Sequence, residues 1–157
     1  MNDDQRYLLV ALDQARQGRS EGGVPVGAAL VVDGEVLGVG HNRRVQMNSV
    51  IRHAETDCLE NIGRLPASVY RRATLYTTLS PCHMCTGTVL LYGIGRVVIG
   101  ESTTFQGPEH LLVGAGVKVV QLNDAECISM MTEFIRECPE LWNEDIGVDE
   151  SDEGAST

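Results

Sequence analysis

The stretch that most constrains this chain is Ser80-Pro81-Cys82-His83-Met84-Cys85, followed by Thr86-Gly87-Thr88-Val89-Leu90. A Pro-Cys-x-x-Cys turn opening a helix points two sulfurs at one place, and the helix N-terminus favours their negative charge. Two ligands hold zinc poorly, so a third has to come from elsewhere. His53-Ala54-Glu55 offers it, a histidine with a carboxylate two residues on. Any fold of this chain must therefore carry residue 53 to residues 82 and 85. His53, Cys82 and Cys85 leave the fourth position of a tetrahedral zinc open, which is the arrangement of a catalytic site.

Two other readings of the turn are weaker. A redox Cys-x-x-Cys pair leaves His53 and Glu55 without a role. A structural zinc requires a fourth protein ligand; His41, His83 and His110 are available, but none stands in a recognised spacing. His-x-Glu followed by Pro-Cys-x-x-Cys is the signature of the zinc deaminases.

Composition narrows the remaining choices. At 157 residues the chain is long enough for one domain with a packed core, expected over residues 1–146. It is 43% hydrophobic, with no apolar run near the length of a membrane span. Met1-Asn2-Asp3-Asp4-Gln5 lacks the basic and apolar regions of a signal peptide. Cys58, Cys127 and Cys138 lie in apolar helical patterns and read as small buried residues rather than disulfide halves, so a reducing cytoplasm is expected. The net charge is −10, with only twelve Lys and Arg to neutralise phosphates. Arg43, Arg44 and Arg52 are the nearest approach to a basic cluster, and three arginines read more readily as a solvated face or an interface. A small neutral substrate is expected, not nucleic acid, and no membrane.

Along the chain, residues 4–17 form an amphipathic pattern (Tyr7, Leu8, Ala11, Leu12, Ala15) that Gly18 can cap. Val26–Val32, Asp33-Gly34 and Glu35–Gly40 predict a hairpin with a two-residue turn. A helix opens at His53 and ends near Asn61-Ile62-Gly63. The β-branched and aromatic run Ala73–Thr78 predicts a strand leading into the cysteine helix, which Gly93 stops. Arg96–Gly100 and Val117–Leu122 are two more strands. Asn123 or Asp124 caps a helix that Pro139 breaks, and Glu140–Ile146 is a last helical segment. From residue 147 the chain is small and acidic, and reads as a disordered tail. The expected order is α-β-β-α-β-α-β-β-α-α, a central mixed sheet with helices on both faces.

With these motifs in hand, the chain resembles the cytidine deaminase-like zinc deaminases, and within them it is similar to the fungal-type cytosine deaminases over almost its whole length. The matching stretches include Glu21-Gly22-Gly23-Val24-Pro25, Gly40-His41-Asn42, His53-Ala54-Glu55, Asn61-Ile62-Gly63-Arg64-Leu65, Leu75-Tyr76-Thr77-Thr78-Leu79-Ser80-Pro81-Cys82 and Met84-Cys85-Thr86-Gly87. Trp142-Asn143-Glu144-Asp145-Ile146-Gly147 is the most particular to the cytosine enzymes. The resemblance implies a three-layer α/β/α domain with a five-stranded sheet, a homodimer, one Zn2+ per subunit, a place in pyrimidine salvage, and conversion of cytosine to uracil and ammonia. It also implies that Asn42 holds the N1 and O2 edge of the base, aided by the Ala54 N–H. Phe105 and Trp142 would lie on or near the ring, Asp145 would accept a hydrogen bond from the exocyclic amine, and Ser80 belongs to the same substrate-binding set. His83 stands where the fungal enzymes have an acid, and Ala54 replaces a glycine.

The chemistry fits independently. Zinc lowers the pKa of bound water toward about 7, which suits attack on an amidine-like carbon. The ring nitrogen and the leaving amine must each gain a proton, and one carboxyl group near both, Glu55, can carry them in turn. A helix N-terminal acid balancing the dipole is the ordinary role for such a residue. Asn42 could also be a plain turn residue, and Trp142 a plain anchor. Three rival functions stay open: a tRNA or nucleotide deaminase, a noncatalytic zinc-stabilised module, and a deaminase of another free heterocycle such as guanine or a modified pyrimidine.

Overall fold

Alternation of apolar side chains along short β-branched runs builds the sheet, and the helices cover it. A computed structural model describes residues 1–149 and Ser151; the rest of the acidic tail, expected to be disordered, lies outside the described residues. The elements are α1 (Asp3–Ser20), β1 (Gly27–Val32), β2 (Glu35–His41), α2 (Arg44–Met47), α3 (Ala54–Ile62), α4 (Ala67–Arg71), β3 (Ala73–Thr77), α5 (His83–Tyr92), β4 (Arg96–Ile99), α6 (Glu109–Gly114), β5 (Lys118–Gln121), α7 (Ala125–Glu137) and α8 (Pro139–Asp145). Five strands form one mixed sheet in the order β2-β1-β3-β4-β5. The hairpin β1–β2 and the pair β1–β3 are antiparallel, whereas β3, β4 and β5 run parallel. Parallel neighbours need crossovers, and α5 and α6 supply them.

Side chains of β1 alternate between two cores. Ala28, Leu30 and Val32 join Cys58 of α3 and Val89 of α5 on one face. Ala29 and Val31 join Tyr7 and Ala11 of α1 on the other. This is the expected three-layer arrangement. Gly40 lets α3 lie directly on β2, because a Cβ there would come within 2.3 Å of the Cys58 backbone nitrogen. That close seat fixes the height at which the first turn of α3 meets the sheet end.

Several boundaries differ from the sequence reading. Gly18 does not end α1; the helix runs two residues further, and Gly18 is buried beside His41. A capping box of Asn2 and Gln5 starts that helix (Gln5 N–H to Asn2 Oδ1, 2.9 Å). His53 stands at the N-cap of α3 rather than inside its first turn. The short helices α2, α4 and α6 are additions to the expected order; at four to six residues they carry too little periodicity to be read from pattern. Gly93 caps α5 in the left-handed region, and Asp124 caps α7 by accepting the Cys127 N–H, as expected. Cys58, Cys127 and Cys138 are free thiols, the first two buried. Among the described residues no helix is long and apolar enough to cross a membrane.

A partly buried ion pair joins the start of α1 to the sheet. Arg96 donates to both oxygens of Asp4 at 2.7 and 2.6 Å, and the Tyr76 hydroxyl donates to the same carboxylate at 2.9 Å. The Arg96 hydrogen bond holds the Asp4 carboxyl below the usual range, against the opposing effect of burial. A carboxyl depressed in the folded state contributes stability above its unfolded pKa and loses it as pH falls through the folded value. Urea midpoints measured from pH 6 to pH 3 should therefore fall more steeply for the native chain than for Asp4→Asn. Parallel slopes would remove Asp4 from the acid response.

Candidate active site

Two helix N-termini meet at the end of the sheet where β2 and β3 terminate. His53 caps α3 and Cys82 caps α5, both with extended backbone. The His53 Nδ1 atom lies 3.4 Å from Cys82 Sγ and 3.8 Å from Cys85 Sγ. Among the described residues these three form the group of metal-capable side chains whose ligand atoms all lie within 4.8 Å of one another. A tetrahedral zinc with Zn–N near 2.0 Å and Zn–S near 2.3 Å sets nitrogen and sulfur about 3.5 Å apart, so the donor set fits that ion in type and spacing. On the far side of the ring, His53 Nε2 faces the Asp145 carbonyl at 3.2 Å and its carboxylate at 3.3 Å. Such a partner fixes the tautomer that leaves Nδ1 free for a metal.

The electrostatics match a site built for a cation. A hydrogen bond from Cys85, with further help from His53, pulls the Cys82 thiol down to about 4. Cys85 moves the other way, because its bond to Cys82 and its burial both favour the thiol. Burial alone would lower His53; the Cys82 hydrogen bond and the charges of Asp145 and Glu55 outweigh it and lift the imidazole to about 9. Glu55 is fully enclosed, and burial first, then the Cys82 charge, raise its carboxyl above the usual range. It accepts a hydrogen bond from Thr77 Oγ1 at 2.8 Å.

A small enclosed pocket opens against this group. Nine of the ten residues expected from the sequence line it: Asn42, His53, Ala54, Glu55, Ser80, Cys82, Phe105, Trp142 and Asp145; Val26, Leu79 and Ile146 complete the walls. Cys85, the tenth, sits behind Cys82 in the metal group. Phe105 and Trp142 meet edge to face, ring centres 5.7 Å apart, and close the pocket. Asn42 donates to Asp145 Oδ1 at 2.8 Å and accepts the Arg44 N–H at 3.1 Å. Beyond Phe105 a wider vestibule carries His83, His110, Arg44 and Glu144.

Ser80 reaches the pocket, but its hydroxyl is engaged elsewhere. It donates to Glu109 at 2.5 Å and accepts the Gly107 N–H at 2.9 Å. Gly107 rests against the Pro81 carbonyl, where a Cβ would come to 1.8 Å. Ser80 thus pins the loop that carries Phe105. Glu101, wholly buried, shapes the same loop by accepting the N–H groups of Thr103 and Thr104 at 2.7 and 2.9 Å. Neither Glu101 nor Glu109 was singled out by the sequence: Glu101 bonds to Thr103 and Thr104 just after it, a local turn that carries no functional motif, and Glu109 bonds to Ser80 and Gln121 on distant segments. His41 is no metal ligand: its ring nitrogens face Gln14 and Glu21 at 3.0 and 2.8 Å. The three arginines are not a free basic face either. Arg43 and Arg52 both donate to the buried Asp57 at 2.9 Å, and Arg44 pairs with Glu144 and Asp145.

Comparison with known proteins places this geometry. Residues 1–101 match the family model of the cytidine and deoxycytidylate deaminase zinc-binding region. A cytosine deaminase of Candida albicans is 57% identical over 146 residues, 92% of this chain and 97% of that protein. A tRNA-specific adenosine deaminase of Bacillus subtilis is 33% identical over 147 residues, 87% of this chain and 91% of that one. Among solved structures, a tRNA:A34 deaminase aligns with a TM-score of 0.68 at 28% identity, covering 80% of this chain and 99% of that one. Guanine deaminase from Nitrosomonas europaea aligns with a TM-score of 0.70 at 23% identity over 85% of this chain and 84% of that one, a likeness of fold. With the family model covering well over half of it and a histidine facing two cysteines at zinc spacing, the chain belongs to the cytidine and deoxycytidylate deaminase family of zinc enzymes.

Proposed function

We propose that the chain hydrolyses cytosine to uracil and ammonia, with one Zn2+ held by His53, Cys82 and Cys85. The observation that carries this reading is the closed pocket between Glu55 and the Phe105–Trp142 pair, in a chain 57% identical to a cytosine deaminase. When bound, zinc supplies the Lewis acidity that makes water a usable nucleophile near neutral pH. The other tasks fall to the chain. Glu55, whose carboxyl burial pushes above the usual range, takes a proton from the attacking water and gives it to ring nitrogen N3; it then takes the remaining proton from the adduct hydroxyl and delivers it to the leaving amine as the C–N bond breaks. Asn42 and the Ala54 N–H hold the edge of the base remote from the reacting carbon. Asp145 accepts from the exocyclic amine while keeping His53 oriented. The aromatic pair excludes water, and Ser80 acts through the Phe105 loop.

The surroundings support a free base over a nucleotide or tRNA. Arg44, the arginine in the vestibule wall, is already paired with Glu144 and Asp145, so it offers no ready phosphate clamp. Trp142 and Ile146 stand in the pocket wall, so a base carrying a ribose needs room that the closed pocket does not offer. A homodimer is supported by a groove lined by Ile51, Leu59, Leu65 and Tyr70, beside Leu91 and Tyr92. Leu91 in that groove is 75% exposed, an apolar surface that a second copy would cover. Free thiols suit a reducing cytoplasm.

Ammonia release should be measured with cytosine, cytidine, dCMP, guanine and an anticodon stem-loop bearing adenosine. Cytosine alone should give turnover; release from the stem-loop or the nucleotide would replace the reading with the tRNA or nucleotide one. The variant Glu55→Gln should keep zinc near one ion per chain by elemental analysis. Its turnover should fall at the upper end of the roughly 10²–10⁴-fold range of acid–base groups, or beyond it; activity within tenfold of native would remove Glu55 from the proton path. Sedimentation should give a species of twice the 17.0 kDa chain mass, returning to the single mass in Leu91→Glu. A native chain that sediments as a monomer at micromolar concentration would refute the dimer.

A further inference from the structure

We propose that Thr77 is a positioning residue for Glu55: its hydroxyl holds one carboxylate oxygen from behind, so that the other faces the pocket. The inference rests on the proton-carrying role given to Glu55 above. Thr77 ends β3 and is wholly buried. Its Oγ1 lies 2.8 Å from Glu55 Oε1 and 3.0 Å from the Leu79 carbonyl. The hydroxyl has one proton to donate, and both acceptors lie within its reach, the carboxylate nearer than the carbonyl. Thr77 is outside the pocket wall whereas Glu55 is in it, so the contact comes from the side of the sheet.

Besides Glu55, that hydroxyl has one partner in the fold, the Leu79 carbonyl two residues on. The Thr77 carbonyl already accepts the Gly100 N–H at 2.8 Å, so the backbone is satisfied without the side chain. Its neighbour Thr78 faces the other way and spends its hydroxyl on the Gly27 N–H at 3.0 Å, tying β1 to the strand end. A β-branched side chain at a central strand end has a stiff χ1. A glutamate on the first turn of a helix has three soft torsions. The stiff partner sets the soft one, as a site requires when its reacting groups must be held to a fraction of an ångström. Leu79 leads directly into Pro81-Cys82, so one hydroxyl touches both the proton carrier and the segment that delivers the sulfurs.

The test separates hydrogen bonding from packing. Thr77→Val keeps the shape and removes the hydroxyl; Thr77→Ser keeps the hydroxyl and removes a methyl group. With cytosine, Thr77→Val should lose about 10–100-fold in kcat, the scale of a misplaced catalytic group. KM and zinc content should stay within about twofold of native. Thr77→Ser should stay close to native in all three. Crystal structures of the metal-free variants should show one Glu55 orientation in native and Ser proteins, and a rotated or divided one in Val. Should Val not fold, Thr77→Ala takes its place with the same expectation. Native kcat in the hydroxyl-free variant, an unmoved Glu55 carboxylate, or a larger loss in Ser than in Val would each overturn the proposal. The crystallographic arm needs no turnover. A native protein inert on cytosine, with Glu55 still governed by Thr77, would count against the cytosine reading alone.

Discussion

The approach of two helix N-termini is the constraint on which the rest of this structure depends. His53 Nδ1 can stand 3.4 and 3.8 Å from two sulfurs only if α3 and α5 begin at the same end of the sheet. The antiparallel pair β1–β2 feeds α3, and the strand β3 feeds α5. Both helices cover the same face, with Cys58 and Val89 in one core. Gly40 sets α3 at its depth by letting backbone touch backbone. The positive ends of both helices then point into one volume, where they offset part of the cost of burying anionic ligands.

Buried acids do the secondary work of holding loops around that volume. Asp57 has no exposed surface and accepts from Arg43, Arg52, the His41 N–H and Asn61. Its four donors join the end of β2, the loop before α3 and α3 itself. Leaving a buried charge without any partner typically costs about 3–5 kcal/mol, and Asp57 has two arginines against that loss. Glu101 and Glu109 play the same part for the loop bearing Phe105. The net charge of −10 is therefore a poor guide to this interior, where each of these acids has its own donors, two arginines for Asp57 and N–H or hydroxyl groups for Glu101 and Glu109.

How much of this was legible in the sequence follows from the range of each interaction. Local signals survived: strand runs, the Asp33-Gly34 turn, Gly93 and Asp124 as caps, and the ligand spacing of Cys82 and Cys85 all depend on residues within one turn or hairpin. His53 and Glu55 were legible because His-x-Glu is itself a short motif. Asn42, Phe105, Trp142 and Asp145 came from the family resemblance; nothing in their own neighbourhoods says that residues 42 and 145 share a hydrogen bond. Gly18 misled because glycine ends helices when its φ turns positive, whereas here it stays helical to make room for His41. Ser80 was placed at the pocket correctly, but the direction of its hydroxyl depends on Glu109, which arrives after another strand.

The division of labour between the two ends of the chain follows from the same geometry. The triad and Glu55 are set by α3, β3 and α5, and they suit any amino-bearing heterocycle that reaches them. Choice among those heterocycles depends on what closes the pocket, and that is α8 together with the Phe105 loop. Asp145 is the hinge of this arrangement: one oxygen takes Asn42, the other faces His53, and Arg44 stands 3.4 Å away. A bulkier substrate would have to lift Trp142 and Ile146. Asp145 stands on the same short helix as Trp142, so the segment that closes the pocket also carries the partner of the ligand histidine.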